Sequence, residues 1–144
     1  MWLILIPVLL IFSYKDLRER ALPLSWVVVC MVISGMIALH VQEGNLWERV
    51  IKMLFGMLPG IAMTLSGFLF SGKLGSGDGL VLILICNMVG WKNGVCILCI
   101  ACILSLLYSI FLLLLWHKDR NYRFPFVPFY LLAGVIVWLV TTTY

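Results

Sequence analysis

Charge is the scarcest property of this chain. Lys, Arg, Asp and Glu together make up 11% of 144 residues, against about 25% in an ordinary soluble domain. That leaves too little polar material to solvate a surface, and 64% of the residues are hydrophobic. The net charge of +4 does not build a nucleic-acid face, because the basic residues sit in short gaps between apolar runs, where they orient spans in a bilayer. Histidine is nearly absent: His40 and His117 both flank the ends of apolar runs. No mid-span base is therefore on hand for a serine nucleophile, and Thr64-Leu65-Ser66-Gly67 lacks the leading glycine of a Gly-x-Ser-Gly motif. Long polar linkers, low-complexity segments and internal repeats are also missing. A single membrane-embedded domain over residues 1–144 is expected.

Two further absences narrow the chemistry. Cys30, Cys86, Cys96, Cys99 and Cys102 all fall inside apolar runs. A structural zinc site needs four Cys or His ligands, usually held by a turn, and no fourth ligand stands at suitable spacing from the trio at 96, 99 and 102. In an apolar helix, cysteine acts as a small residue that permits close packing, so neither metal nor cofactor is expected. At the N-terminus, the apolar stretch Trp2 to Phe12 has no basic segment before it and no small-residue cleavage site after it. It reads as a span and not as a cleaved signal peptide.

What the chain has in abundance is apolar length. Six candidate spans cover roughly residues 1–15, 22–39, 46–70, 78–91, 94–116 and 126–143. Lys15, Arg18 and Arg20 fall at the first connection, Lys73 in the third, and Lys118, Arg120 and Arg123 in the fifth. The positive-inside rule makes these three connections cytoplasmic, with both termini outside. The fourth run is short: the sixteen residues from Asp78 to Asn93 give about 24 Å of helix against a bilayer core of about 30 Å. The expected fold is an all-α polytopic bundle of about six transmembrane helices. Within it, Pro59 is expected to kink the third helix, and Gly56-x-x-x-Gly60 has the spacing of a close helix contact.

Ionisable groups beside membrane spans are costly and mark functional positions. Of the six acids, Asp16 ends the first apolar run and Asp78 begins the fourth. Two spans separate them, so both return to one face. Glu43 and Glu48 fall on the other face, Glu19 stands one helical turn from Lys15 and can pair with it, and Asp119 lies within a basic loop. Asp78 is embedded in Gly72-Lys73-Leu74-Gly75-Ser76-Gly77-Asp78-Gly79, where glycines permit non-helical backbone and close approach of another chain. Asp78 reads either as a functional carboxylate or as the N-cap of the fourth helix. A close pair of carboxylates shares one proton; the ionised member can activate water while the protonated member polarises a carbonyl.

Three segments resemble the motifs of prepilin peptidases, the type IV leader peptidase family. Asp16-Leu17-Arg18-Glu19-Arg20-Ala21-Leu22-Pro23 is similar to the first aspartate motif. Gly75-Ser76-Gly77-Asp78 has the form Gly-x-Gly-Asp, and Pro125-Phe126-Val127-Pro128-Phe129 resembles the Pro-Phe-x-Pro segment that opens the last helix. The resemblance extends along essentially the whole chain. It implies an aspartic endopeptidase that removes the leader of type IV prepilins or pilin-like proteins at the cytoplasmic face of the cell membrane. Asp16 and Asp78 would be its catalytic pair. Gly75 and Gly77 would shape the second loop, and Pro23, Pro125 and Pro128 would belong to the motif and substrate loops. Lys73 is a further candidate for steering a charged leader.

Departures accompany the resemblance. Leu24 stands where many members have Asn, and Leu80 where many have Lys; both bear on substrate subclass and neither touches the carboxylates. The cysteine-bearing cytoplasmic region associated with N-methylation in long members does not appear, which points to peptidase activity alone. The Gly-x-Gly-Asp proteases of the presenilin kind are a rival, but they carry a Tyr-Asp first motif, and Lys15 here separates Tyr14 from Asp16. The rival from another class is a non-enzymatic membrane carrier or a pilin-binding assembly subunit.

Overall fold

Each apolar run closes as a helix, the form in which a backbone satisfies its own hydrogen bonds without water. The computed structural model describes residues 2–19, 24–41, 45–69, 76–116 and 126–143. Among these residues there are six helices and no strand: α1 Trp2–Glu19, α2 Leu24–Val41, α3 Leu46–Leu69, α4 Ser76–Val89, α5 Trp91–Trp116 and α6 Val127–Thr143. The all-α class agrees with expectation. Two helices contain a stretch long and apolar enough to cross a membrane, Leu46–Ser66 and Trp91–Leu112, while Ser25–His40, Gly77–Val89 and Val127–Thr143 are shorter apolar helices.

Boundaries differ from the apolar runs in informative places. α1 continues past the end of its apolar run through Lys15-Asp16-Leu17-Arg18-Glu19, residues that are good helix formers apart from Asp. α5 begins at Trp91, so Lys92 and Asn93 lie within the helix and the connection from α4 shrinks to Gly90. Gly90 has φ of 84°, the left-handed conformation that commonly ends a helix and suits glycine. Its N–H donates to the Cys86 carbonyl at 2.9 Å, and the Asn93 side-chain amide donates to the Val89 carbonyl at 3.1 Å. The last carbonyls of α4 are thereby used in a turn of minimum length. α3 runs as one helix through Pro59.

α4 is the centre of the bundle. Every residue from Val81 to Met88 is buried, and α1, α2, α3 and α5 all pack on α4. This explains its shortness: protein surrounds it, so it need not match a bilayer thickness on its own. Around it, α6 packs between α1 and α5. The shared core runs through Leu5, Leu9 and Phe12 of α1, Val27 of α2, Ile97 and Ala101 of α5, and Tyr130, Ala133 and Val137 of α6. Arg49 of α3 donates from Nη1 to the Leu39 carbonyl at 2.9 Å, tying the end of α2 to the start of α3. The outer surfaces of α3 and α5 are apolar, with Leu54, Phe55, Leu58, Leu106, Leu107 and Phe111 exposed.

The α3–α4 contact is made backbone to backbone at Gly60 and Gly79. A Cβ added to Gly60 would stand 2.7 Å from the Gly79 carbonyl oxygen and 2.9 Å from the Ile83 nitrogen. One added to Gly79 would stand 2.9 Å from both the Gly60 oxygen and the Thr64 nitrogen. Small residues let helices approach this closely. Gly79 adjoins Asp78, so the same contact sets where the start of α4 lies.

Candidate functional site

The buried face of α1 decides where Asp16 points. Leu5, Leu9 and Phe12 form an inward stripe, and stepping on by four residues from Phe12 reaches Asp16 on that face. Asp16 is accordingly 8% exposed, a low value for a carboxylate. Its Oδ2 accepts a hydrogen bond from the Val127 N–H at 3.2 Å. Val127 is the first residue of α6, and the first N–H groups of a helix have no intrahelical partner and carry the positive end of its dipole. Asp16 thus closes the start of a helix 111 residues away in sequence. Burial raises the Asp16 pKa above the ordinary carboxylate value, and the Val127 N–H opposes that rise by favouring the ionised form.

Asp78 lies in the first turn of α4, third in the helix, which places it inside the helix and not ahead of it as an N-cap. It is partly buried, and it is close enough to Asp16 for the charges of the two carboxylates to interact. Two of the six acids, 62 positions apart in the sequence, therefore lie within electrostatic range of each other at one end of the bundle, where α1 finishes and α4 and α6 begin. A pair of this kind can hold a shared proton and so offer a base and an acid together.

Tyr130 is the contribution that sequence reasoning missed. One turn into α6 beyond Val127, it is fully buried, and its hydroxyl lies within electrostatic reach of Asp78. The hydroxyl donates to the Met63 sulfur at 3.4 Å, a weak acceptor. The Tyr130 ring meets the Phe126 ring edge-on, 4.9 Å between centroids and 87° between planes. The signal was available: Val127, Tyr130, Ala133, Gly134 and Val137 form the buried stripe of α6, and Tyr130 is its single member with a polar group on the side chain. The Val127 N–H is the donor that the Pro-Phe-x-Pro segment leaves at the helix start, since Pro128 carries none.

The remaining sequence-predicted residues divide cleanly. Gly77 lies in the first turn of α4 beside Asp78, and Pro128 lies in the first turn of α6 beside Val127. Pro23, Lys73, Gly75 and Pro125 lie outside the described residues. Lys15 sits over the Trp26 ring, 5.4 Å from its centroid, an exposed cation–π contact worth about 0.5–1 kcal/mol; the side chain of Glu19, its expected partner, is outside the described residues. Cys96, Cys99 and Cys102 are exposed along α5, and among the described residues no three His, Cys, Asp or Glu side chains converge as a metal site.

A second polar feature lies at the far end of α4. Asn87 is 2% exposed, and neither its amide nitrogen nor its amide oxygen has a hydrogen-bond partner. An unpaired buried amide costs about 1–3 kcal/mol. It stands nine residues beyond Asp78, about 14 Å along the helix axis.

Comparison with known proteins gives one match. A family model described as the type IV leader peptidase family matches residues 3–110, a stretch that includes both Asp16 and Asp78. No curated protein and no solved structure matches the chain.

Proposed function

Because the chain belongs to the type IV leader peptidase family, and is on that ground a peptidase, we infer that Asp16 and Asp78 are its catalytic pair and that it is an aspartic endopeptidase. The observation that supports this reading is the return of the two acids to one end of the bundle, within electrostatic range of each other, with Asp16 held by the N–H of Val127. In the proposed reaction, a water between the carboxylates loses a proton to the ionised member and attacks the scissile carbonyl. The protonated member donates to the carbonyl oxygen. On collapse of the tetrahedral intermediate, the carboxylic acid formed from the first carboxylate gives the water-derived proton to the leaving amine, and the second carboxylate takes back the proton it lent as the carbonyl re-forms, which restores the pair.

The substrate in this reading is the leader of a type IV prepilin or pilin-like protein. The apolar outer faces of α3 and α5 and the two long apolar stretches support a membrane setting. In it the six helices cross as a bundle with the termini outside and the pair at the cytoplasmic face, as the basic connections require. Gly75 and Gly77 shape the approach to Asp78. By the family resemblance, Pro23, Pro125 and Pro128 belong to the motif and substrate loops, and Lys73 attracts a charged leader.

The test is leader cleavage of a co-expressed pilin-like substrate by wild type, Asp16→Asn and Asp78→Asn, with membrane abundance measured in parallel. Loss of cleavage in both variants at normal abundance is expected. Normal cleavage by either variant would sink the aspartic mechanism. A carrier or assembly subunit would leave the leader uncut in every version while still crosslinking to the pilin.

A further inference from the structure

The face of α6 that supplies the Val127 N–H carries one more polar group, the Tyr130 hydroxyl. Packing on both sides places that hydroxyl. Val127, one turn earlier on the same buried stripe, is bonded to Asp16. The hydroxyl itself donates to the Met63 sulfur of α3 at 3.4 Å. The next residue of α3, Thr64, lies against Gly79: a Cβ added there would stand 2.9 Å from the Thr64 nitrogen. Gly79 directly follows Asp78 in the chain. Tyr130 is therefore bracketed by the bond to Asp16 and by the α3 residues that press on the start of α4. We propose that Tyr130 is a positioning residue of the peptidase, whose buried hydroxyl acts through Asp78 by turning its dipole toward that carboxylate when the carboxylate is charged. The proposal rests on the aspartate assignment above and deepens it.

Shape gives no reason for the hydroxyl. The Tyr130 ring is already seated by the edge-on contact with Phe126, and phenylalanine would fill the same space. A buried hydroxyl needs a partner to offset its lost hydration, and a thioether is a weak one. A hydroxyl proton turns about its C–O bond, so leaving the sulfur costs little. In buried surroundings a dipole also acts more strongly on a nearby charge than it would in water. The titratable groups that face the hydroxyl are Asp78 and Cys86 of α4 and Cys102 of α5. Thiols are ordinarily neutral at pH 7, which leaves Asp78 as the charge to be felt. Tyr130 has no exposed surface, so it does not touch the peptide; Asp78 is only partly buried and stands between. In this arrangement α6 serves both acids, Asp16 through the Val127 N–H and Asp78 through Tyr130. A donor turned toward a carboxylate favours its ionised form and fixes its direction, which is what a pair sharing one proton requires.

The experiment is leader cleavage as a function of pH by wild type, Tyr130→Phe and Met63→Leu, with Asp78→Asn as the reference. In Tyr130→Phe, kcat is expected to fall about tenfold with KM unchanged. Its pH profile should also move upward by about half a unit or more, because the ionised pair has lost a donor. The position of the profile is read within each variant and does not depend on how much protein folds. Met63→Leu conserves volume and removes only the sulfur acceptor, so it should keep wild-type kcat and an unmoved profile. An unmoved profile or wild-type kcat in Tyr130→Phe would overturn the proposal. So would a Met63→Leu variant that loses as much as Tyr130→Phe, since the bond to sulfur would then be the whole role of the hydroxyl. Normal cleavage by Asp78→Asn would remove the aspartate assignment itself, a result read without reference to Tyr130.

Discussion

Alanine at Gly60 and alanine at Gly56, one helical turn apart on α3, should have opposite effects. Either substitution favours the helix by about 1 kcal/mol, since glycine is the poorer helix former. At Gly56 the added methyl stands 3.6 Å from the Cys86 oxygen, an ordinary contact, so the gain survives. At Gly60 it meets the Ile83 side chain, the Gly79 oxygen at 2.7 Å and the Ile83 nitrogen at 2.9 Å. A side chain can rotate away, but the backbone of a buried helix cannot. Overpacking of this kind costs about 1–3 kcal/mol, and the backbone contacts put Gly60 at the upper end. The two variants should thus differ by about 2–3 kcal/mol, roughly 30- to 150-fold in the folded-to-unfolded ratio. Reversible unfolding in mixed micelles, followed by circular dichroism, measures the difference. Gly79→Ala meets the same junction from the other side, so the double variant Gly60→Ala/Gly79→Ala should cost less than the sum of the two. Leader cleavage provides a second reading: parting α3 from α4 beside Asp78 should lower it in Gly60→Ala and spare it in Gly56→Ala. Equal stability of the two single variants would refute the backbone contact.

The aspartate end of the bundle yields three further expectations. Because burial raises the Asp16 pKa, the folded state holds that proton more tightly than the unfolded chain. Stability therefore falls as pH rises from the unfolded value toward the folded one and stays lower above it, by about 1.4 kcal/mol for each unit of difference. Asp16→Asn removes this penalty, so its Tm advantage over wild type should be absent near pH 4 and present at pH 7; the reverse order would contradict the burial argument. Val127→Pro deletes the N–H that donates to Asp16 at a helix position that tolerates proline. Without that bond Asp16 keeps its proton to higher pH, and the acid limb of the cleavage profile should move upward. An unmoved limb would show that the bond does not tune the acid. Tyr130→Phe keeps the ring contact with Phe126 and loses only a weak bond to sulfur, so Tm should change little. If its hydroxyl serves the aspartate pair, kcat should fall about tenfold, or about 1.4 kcal/mol, with KM unchanged. Wild-type kcat would restrict Tyr130 to packing.

The number and order of the helices, and the return of Asp16 and Asp78 to one end, were legible because they depend on local hydropathy and on counting crossings. The Gly-x-Gly-Asp segment was legible for a similar reason, since its pattern is contiguous. The inward direction of Asp16 was also written locally, in its register with Leu5, Leu9 and Phe12 on the buried face of α1. The helix facings were not. α2, α4 and α5 are apolar on all sides and have no polar face to mark an outside, so nothing local says that α4 is the one surrounded by neighbours. That follows from the Gly60–Gly79 approach, which draws α3 against α4 and seats the rest around them. Only the tertiary structure could bring the Val127 N–H to Asp16 across 111 residues, set Tyr130 near Asp78, and leave the Asn87 amide buried without a partner. The sequence by itself determined which residues could do chemistry, because charge in an apolar chain is costly and therefore conspicuous. Packing decided which of them meet, because the nearest neighbours of a buried group are set by the helices pressed against it and not by its place along the chain.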